Sequence, residues 1–212
     1  MALFDEKVAQ QLREILDKMA DPVELVFFTQ EIDCDSCSDA RQFVEEFSAL
    51  SDKLSLTAHD FQRDEKQVSR YHIMRVPAIV ISRKDIDTGI RFYGIPGGYE
   101  INSFVGSIME VSGRGQNIPE DVLERIRKID TDVHFQVFVS LSCPHCPGAV
   151  AAAHKLALEN PKIQADMIDT NLFPHLAEKY EIRGVPKTIV NEKTEIMGAQ
   201  PLQAFIEAAE KA

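Results

Sequence analysis

Two pairs of cysteines, each separated by two residues, are the part of this sequence best suited to chemistry. All four cysteines of the chain belong to these pairs, which are Cys34/Cys37 and Cys143/Cys146. Each pair is followed by a Val-Pro dipeptide, and the proline lies 43 residues after the first cysteine in both cases: Val76-Pro77 and Val185-Pro186. Two thiols at this spacing can form a reversible disulfide or bind a metal ion. The repeated interval favours a redox site that occurs twice.

The two cysteines of each pair are expected to have different roles. Thiol–disulfide exchange needs one thiolate that attacks and a second thiol that resolves the mixed disulfide. A cysteine at the start of a helix is close to unpaired backbone N–H groups and to the positive end of the helix dipole, which favour its thiolate. We therefore assign attack to Cys34 and Cys143, and resolution to Cys37 and Cys146.

Composition and charge argue against several classes of protein. The 212 residues include 44% hydrophobic and 27% charged residues, and the net charge is −11. Nucleic acids and anionic membranes are poor partners for such a chain, because binding to them needs clustered Lys and Arg. We find no basic, apolar leader at the N-terminus and no apolar run long enough to span a membrane, so we expect a cytoplasmic protein. In that compartment, paired cysteines are more often catalytic or metal-binding than structural.

The chain is an internal duplication. A shift of 109 residues superimposes both cysteine pairs, and it also aligns Asp60 with Asp169 and Tyr71 with Tyr180. The segment 112–117, which contains Gly and Ser, is the natural joint between the copies. We therefore predict two domains, residues 1–115 and residues 116–212.

The two copies share one predicted order of elements. Each begins with an amphipathic helix, over about 3–19 or 119–129, that leads into an apolar strand, 24–29 or 133–139. The cysteine pair follows and opens a second helix. A short strand, a helix, a β-hairpin and a closing helix complete each copy, with hairpin turns expected at 87–89 and 191–193. This order predicts an α/β fold in which a mixed sheet is flanked by helices.

This order of elements, with a proline opposite the cysteine pair, resembles the thioredoxin fold. The segment from Ile168 to Thr188 looks strongly thioredoxin-like. The tandem arrangement, the segment from Arg91 to Glu100 and the sequence Cys-Pro-His-Cys-Pro at 143–147 together resemble the glutaredoxin-like protein disulfide oxidoreductases. That family consists of two fused thioredoxin-fold units, and the resemblance covers essentially the whole chain.

The resemblance implies a dithiol–disulfide oxidoreductase that acts on disulfides and dithiols of other proteins. It implies that Pro77 and Pro186 follow cis peptide bonds, which bring the backbone of Val76 and Val185 beside the reactive sulfur as a binding edge for substrate. It also implies that a thioredoxin reductase supplies the electrons. The redox-active disulfides would be the only cofactor, and we expect no metal.

The sequence departs from thioredoxins at one functional position in each copy. Phe28 and Val137 stand six residues before the first cysteine, where thioredoxins carry a buried aspartate that accepts a proton. Glu24, Glu31 or His134 could replace this aspartate if the fold brought one of them close.

The two redox sites are predicted to be unequal. Pro144 suits the first position of a helix, and His145 can stabilise the Cys143 thiolate beside it. Asp35 lies inside the first pair, and more carboxylates surround that pair: Glu31, Asp33 and Asp39. Like charge disfavours a thiolate at Cys34. We therefore expect the second site to be the more oxidising one and to dominate activity at neutral pH.

Three other functions remain open. The chain could be an electron-relay module of a peroxide-reducing system, because the N-terminal part of the alkyl hydroperoxide reductase flavoprotein also has two thioredoxin-like units, usually with a single Cys-x-x-Cys. A Cys₄ zinc site would need pairs 109 residues apart to converge, whereas zinc motifs usually place them about 15–20 residues apart. A glutathione-dependent role is also open, although we see no clear glutathione-binding residues.

Overall fold

The computed structural model describes residues 3–212, so the first two residues of the predicted domain 1–115 lie outside the described part. The first eight elements are α1 (Glu6–Leu16), β1 (Val23–Thr29), α2 (Cys37–Ser48), β2 (Leu54–Asp60), α3 (Glu65–Arg70), β3 (Ala78–Arg83), β4 (Ile86–Tyr93) and α4 (Ile101–Met109). The same order then repeats: α5 (Glu120–Arg127), β5 (Val133–Val139), α6 (Cys146–Glu159), β6 (Ile163–Asp169), α7 (Pro174–Lys179), β7 (Lys187–Val190), β8 (Thr194–Met197) and α8 (Leu202–Ala209). We call α1–α4 with their strands the first unit, and α5–α8 with theirs the second unit.

All eight strands form one mixed sheet in the order β2-β1-β3-β4-β6-β5-β7-β8. Within each unit the first two strands are parallel, and the hairpin strands are antiparallel to their neighbours. The units join where β4 pairs in parallel with β6. The predicted fold, two tandem thioredoxin-like units with a mixed sheet flanked by helices, is confirmed.

The sheet is buried on both faces. Successive side chains of a strand point to opposite faces, and in the central strands both sets of side chains are apolar. In β1, Leu25 and Phe27 face the larger core, which packs against α1, α2 and α4 in this unit, whereas Val26 and Phe28 face a smaller core on the opposite side. The strand therefore reads as a continuous apolar run, as expected for parallel strands covered on both sides. Among residues 3–212, no helix is long and apolar enough to cross a membrane.

The junction between the units is tightly packed. The Phe92 ring of β4 meets Phe104 of α4 at 5.1 Å and His154 of α6 at 4.8 Å between centroids. His154 is buried, and its Nδ1 lies 2.9 Å from Ser107 Oγ of α4. Burial lowers the pKa of His154 to about 3, so the imidazole is neutral at physiological pH.

The predicted first hairpin turn and the predicted joint between the units both differ from the structure. The turn of the first hairpin lies at Lys84 and Asp85, which both have positive φ, rather than at 87–89 inside β4. Such a two-residue turn matches the right-handed twist of the strands it connects. The predicted joint at 112–117 overlaps a short π-helical segment, Glu110–Arg114, that extends α4 and contains Gly113 at a φ of 90°. The boundary between residues 115 and 116 stays a prediction.

Gly89 provides a test of the junction. Its φ is +76°, and a Cβ there would collide with the carbonyl oxygen of Ile163 on β6. We expect Gly89→Ala to lower the free energy of unfolding by about 2 kcal/mol, measured by urea denaturation, because both the strained backbone and the collision oppose it. Gly106→Ala, in the middle of α4 with open space around its Cβ position, is the control and should raise stability by about 0.5–1 kcal/mol. Equal effects of the two substitutions would contradict close packing at the junction.

Candidate active sites

Both cysteine pairs lie at the carboxyl end of the first strand of their unit. A four-residue loop, 30–33, connects β1 to Cys34, and a three-residue loop, 140–142, connects β5 to Cys143. Cys37 and Cys146 are the first residues of α2 and α6 and are buried, whereas Cys34 and Cys143 are partly exposed. An exposed first thiol and a buried second thiol fit the predicted division into attacking and resolving cysteines.

The two pairs differ in redox state. Cys34 and Cys37 are joined by a disulfide, whereas Cys143 and Cys146 are free thiols. The Val76–Pro77 and Val185–Pro186 peptide bonds are both cis, as the resemblance implied. In the second site, Cys143 Sγ lies 3.8 Å from the carbonyl oxygen of Val185. The backbone before this proline is therefore within reach of a substrate segment bound at the sulfur.

The two sites lie at the same end of the sheet, the carboxyl end of β1 and β5, but they are far apart. β1 and β5 run in the same direction, and β3, β4 and β6 lie between them. Four steps between neighbouring strands amount to about 19 Å. The four thiols therefore do not converge on one ion, and the described residues contain no group of three or more His, Cys, Asp or Glu placed to hold a metal. This geometry argues against the Cys₄ zinc alternative.

The resolving thiol of the second site needs help to lose its proton. Burial raises the pKa of Cys146 well above its ordinary value, the hydrogen bond with Cys143 raises it further, and the charge of Glu100 adds to the effect. A thiol in such a site forms little thiolate at neutral pH. A nearby proton acceptor is therefore required when Cys146 attacks a mixed disulfide.

Glu100 is the acidic group that sequence analysis did not identify. Its side chain is fully buried, Oε2 makes a hydrogen bond with Ser103 Oγ, and Oε1 has no hydrogen-bond partner among the described residues. Burial raises the pKa of Glu100 to about 7, and the charge of Asp169 contributes in the same direction. A carboxyl group with this pKa exchanges protons readily at neutral pH.

The first unit supplies this glutamate to the site of the second unit. Glu100 ends a short 3₁₀ helix, Gly98–Glu100, between β4 and α4. The Tyr99 N–H donates to the Leu141 carbonyl oxygen at 2.9 Å, so the segment packs directly on the loop that precedes Cys143. Gly98 has a φ of +54°, and a Cβ there would collide with the same carbonyl oxygen. The only sequence feature that included Glu100 was the segment from Arg91 to Glu100, which supported the family resemblance but gave Glu100 no role.

Two of the three candidate proton acceptors named from the sequence, Glu24 and His134, lie far from the resolving cysteines, whereas Glu31 lines the same cleft as Cys37. Glu24 accepts a hydrogen bond from Thr57 Oγ1 at 2.6 Å near the start of β1, at the opposite end of the strand from the cysteines. His134 Nε2 lies 2.6 Å from Asp166 Oδ2 near the start of β5. Glu31 is exposed in the loop before Cys34.

The residues proposed to tune the thiolates are all exposed. Pro144 lies in the turn before α6 rather than at the first helical position, because the helix begins at Cys146 and Pro147 occupies its first turn. His145 is the N-terminal capping residue of α6 and is open to solvent. Asp35 is exposed between Cys34 and Cys37. Their effects on the thiolates stay predictions.

Alkylation tests the roles of the cysteines. After reduction of the protein, a limiting amount of iodoacetamide at neutral pH should modify Cys143 and leave Cys146 unmodified, because only Cys143 is partly exposed and the pKa of Cys146 is raised. Peptide mapping by mass spectrometry measures the two positions separately. The same protein denatured in urea is the control, since both thiols should then react. Equal labelling of the folded protein would contradict the assigned roles.

Comparisons with known proteins agree with this geometry. Residues 133–211 match the thioredoxin domain family model. Among sequences, an alkyl hydroperoxide reductase protein of Staphylococcus aureus (strain NCTC 8325 / PS 47) is 31% identical over 189 residues, which cover 89% of this chain and 34% of that protein. An NADH dehydrogenase of Bacillus subtilis (strain 168) is 28% identical and covers 96% of this chain and 37% of its own length. The chain thus spans about a third of the length of the curated relatives it matches.

Solved structures extend the similarity to the whole chain. The C503A mutant of the alkylhydroperoxide reductase protein AhpF from Enterococcus faecalis (V583) matches with a TM-score of 0.92 and 32% identity, over 97% of this chain and 99% of that chain. A protein disulfide oxidoreductase from Aeropyrum pernix K1 matches with a TM-score of 0.91 and 27% identity, over 97% and 92%. With its redox-active Cys-x-x-Cys pairs, the chain therefore belongs to the thioredoxin/glutaredoxin-like family, and it is a dithiol–disulfide oxidoreductase built from two tandem thioredoxin-fold units.

Proposed function

We propose that the chain is a protein disulfide oxidoreductase that exchanges electrons with protein substrates at both Cys-x-x-Cys sites. The observation that carries this proposal is that both pairs are complete, with a partly exposed first cysteine, a buried second cysteine and a cis Val-Pro peptide bond in each unit. A site used only for structure would not need an exposed attacking sulfur in both copies.

In the reducing direction, the second site transfers two electrons in two displacements. The Cys143 thiolate attacks a substrate disulfide, so a bond forms between Cys143 and one substrate sulfur while the other substrate sulfur leaves as a thiolate. Cys146 then gives its proton to the Glu100 carboxylate and attacks Cys143 Sγ. The second substrate sulfur leaves, and the protein holds a Cys143–Cys146 disulfide. The raised pKa of Glu100 suits it to accept this proton and to release it again near neutral pH.

The second site is proposed to be the more oxidising of the two and to carry most of the activity. Exposed carboxylates, which surround Cys34 but not Cys143, support the difference in oxidising power. The buried Glu100, whose charge acts on Cys146, supports the larger share of activity, because the resolving thiol there has a proton acceptor. A thioredoxin reductase that uses NADPH is the proposed electron donor, and cytoplasm is the proposed location.

A second candidate function is electron relay to a peroxide-reducing protein. Its support is the similarity to alkyl hydroperoxide reductase proteins from two organisms, at 31–32% identity. The same two displacements at Cys143 and Cys146 would serve this function, with a peroxide-oxidised protein as the disulfide substrate. The two functions differ in the partner rather than in the chemistry.

Reduction of insulin disulfides by dithiothreitol tests the proposed function. We expect Cys143→Ser to lose nearly all activity and Cys34→Ser to keep most of it, because the second site is proposed to dominate. The matched controls, Ser38→Ala and Ser140→Ala, should leave the activity unchanged. Inactive wild-type protein that still passes electrons to a thiol peroxidase would favour the relay function instead.

Substitution of Glu100 tests its role as proton acceptor. In a single-turnover reaction of the reduced protein with an aromatic disulfide, attack by Cys143 releases the first thiol and resolution by Cys146 releases the second. We expect Glu100→Gln to slow the second release by about a hundredfold, because the general base is lost, and to leave the first release unchanged. In the wild type the second release should accelerate as pH rises through about 7, where Glu100 ionises. An unchanged second release in the variant would rule out this role.

Stability gives an independent check on the ionisation of Glu100. The pKa of Glu100 is raised from 4.5 to about 7 in the folded protein, so its protonated form stabilises the fold. This contribution to the free energy of unfolding is fully present below pH 4.5 and is lost as pH rises through 7. In Glu100→Gln the side chain does not ionise, so the variant does not lose stability in this way. Urea denaturation should therefore find the variant gaining on the wild type between pH 5 and pH 8, by at most about 3 kcal/mol.

A further inference from the structure

The first redox site opens into a cleft, and the reaction steps described above for the second site say nothing of what enters it. The cleft has a volume of about 640 Å³, and both Cys34 and Cys37 line it. Its walls come from the loop after β1, the first turns of α2 and the carboxyl end of β2, which is an edge strand of the sheet. A reactive disulfide in the wall of an open cleft can meet a segment of another protein.

The charge of this surface distinguishes it from the second site. Exposed carboxylates occupy the loop before Cys34 and the first turns after it: Glu31, Asp33, Asp35 and Asp39. The cleft adds Asp60 and Asp64. At the corresponding places the second unit has the loop Ser140-Leu141-Ser142, then Pro144 and Gly148. The first site therefore carries exposed carboxylates at four positions where the second unit has none.

Nearby basic side chains do not cancel this charge. Arg41, which lines the cleft, already lies 3.6 Å from Glu45. The guanidinium of Arg75 stacks on the Tyr93 ring at 4.7 Å and is half-buried. The field around Cys34 thus stays negative.

Two exposed apolar side chains lie close in sequence to elements of this site. Ile32, two residues before Cys34, is 66% exposed, and Met74, two residues before Val76, is 53% exposed. The position equivalent to Met74 in the second unit is Arg183, an exposed cation. The two sites therefore differ in both charge and apolar character.

We propose that the first site takes dithiol or disulfide segments of partner proteins that carry Lys or Arg close to their cysteines. This proposal rests on the proposed function and adds a substrate class for one of its sites. A thiolate is an anion, so the carboxylates around Cys34 repel it unless its own segment supplies positive charge. Lys or Arg beside the partner cysteine also favours the partner thiolate. The exposed side chain of Ile32, in the loop before Cys34, suits the aliphatic stems of such side chains.

The reaction at this site balances with the disulfide that the protein already holds. A partner thiolate attacks Cys34 Sγ, the bond between Cys34 and Cys37 breaks, and Cys37 leaves as a thiolate that takes up a proton. The second thiol of the partner loses its proton and attacks the partner sulfur of the mixed disulfide, which releases Cys34. The partner is oxidised to a disulfide, and the first site is reduced by two electrons.

Two single-site proteins allow the sites to be compared within one full chain. Cys143→Ser with Cys146→Ser leaves only the first site, and Cys34→Ser with Cys37→Ser leaves only the second. The probes are two synthetic dithiol peptides of one sequence, with lysines or glutamates flanking the cysteines. With the first site alone, we expect oxidation of the lysine peptide to be faster by about tenfold at low ionic strength. In 1 M salt, where the Debye length is about 3 Å, this preference should largely disappear. The second site alone should prefer the lysine peptide less, because only the effect of lysine on the thiolate of the peptide itself remains there.

Charge-neutral variants identify the residues responsible. Glu31→Gln with Asp33→Asn, in the protein with the first site alone, should reduce the preference for the lysine peptide several-fold. Glu14→Gln with Asp52→Asn is the control, because it removes the same number of exposed carboxylates away from the cleft. Equal preferences at both sites, or equal effects of the two double variants, would overturn the proposal. Failure of both peptides to react at either site would instead overturn the proposed function.

Discussion

The parallel pairing of β4 with β6 is the interaction on which the rest of the structure depends. It places Arg91 and Asp166 opposite each other on adjacent strands, in a buried part of the sheet. Burial alone would raise the pKa of Asp166, but His134, at 2.6 Å, and Arg91 lower it, so the carboxylate stays ionised. His134 and Asp87 pair with these two groups within their own units, at 2.6 Å in each case. The register of β4 on β6 therefore adds an attraction between opposite charges across the units to ion pairs that each unit already has.

This register is also what makes the second active site complete. The chain leaves β4 at Tyr93 and turns across the carboxyl end of the sheet, where Gly98 and Tyr99 pack on Leu141 and Glu100 enters beside Cys146. At the first site, β2 is an edge strand of the described sheet and a cleft lies open beside Cys34. The head-to-tail contact between the units therefore surrounds the two cysteine pairs differently, although both units share one order of elements.

Much of this arrangement could be predicted from the sequence, because it follows from local patterns and their repetition. The duplicated cysteine–proline interval led to the two units and to the assignment of Cys34 and Cys143 as the exposed sulfurs. Glu100 could not be found in the same way, since it lies 46 residues before Cys146 and in the other unit. A search for the missing acid within one strand, at Phe28 and Val137, looks in the wrong unit. The first hairpin turn was predicted at 87–89 because Gly89 is typical of turns, whereas the turn lies at Lys84-Asp85. The positive φ of Gly89 instead allows β4 to approach β6 closely.

The separation of the sites constrains how the protein can work in either proposed function. Thiol–disulfide exchange needs sulfur atoms in contact, and about 19 Å of sheet lies between the two pairs. The strands between them, β3, β4 and β6, are bonded to their neighbours on both sides, so a motion that brought the pairs together would have to break the β4–β6 junction. Electrons therefore pass between the sites only through a partner or a small thiol that visits both. Because both sites open on the same edge, one partner of modest size could contact the two sites in turn. The chain is thus better suited to carrying out two separate exchanges than to passing electrons along its own length.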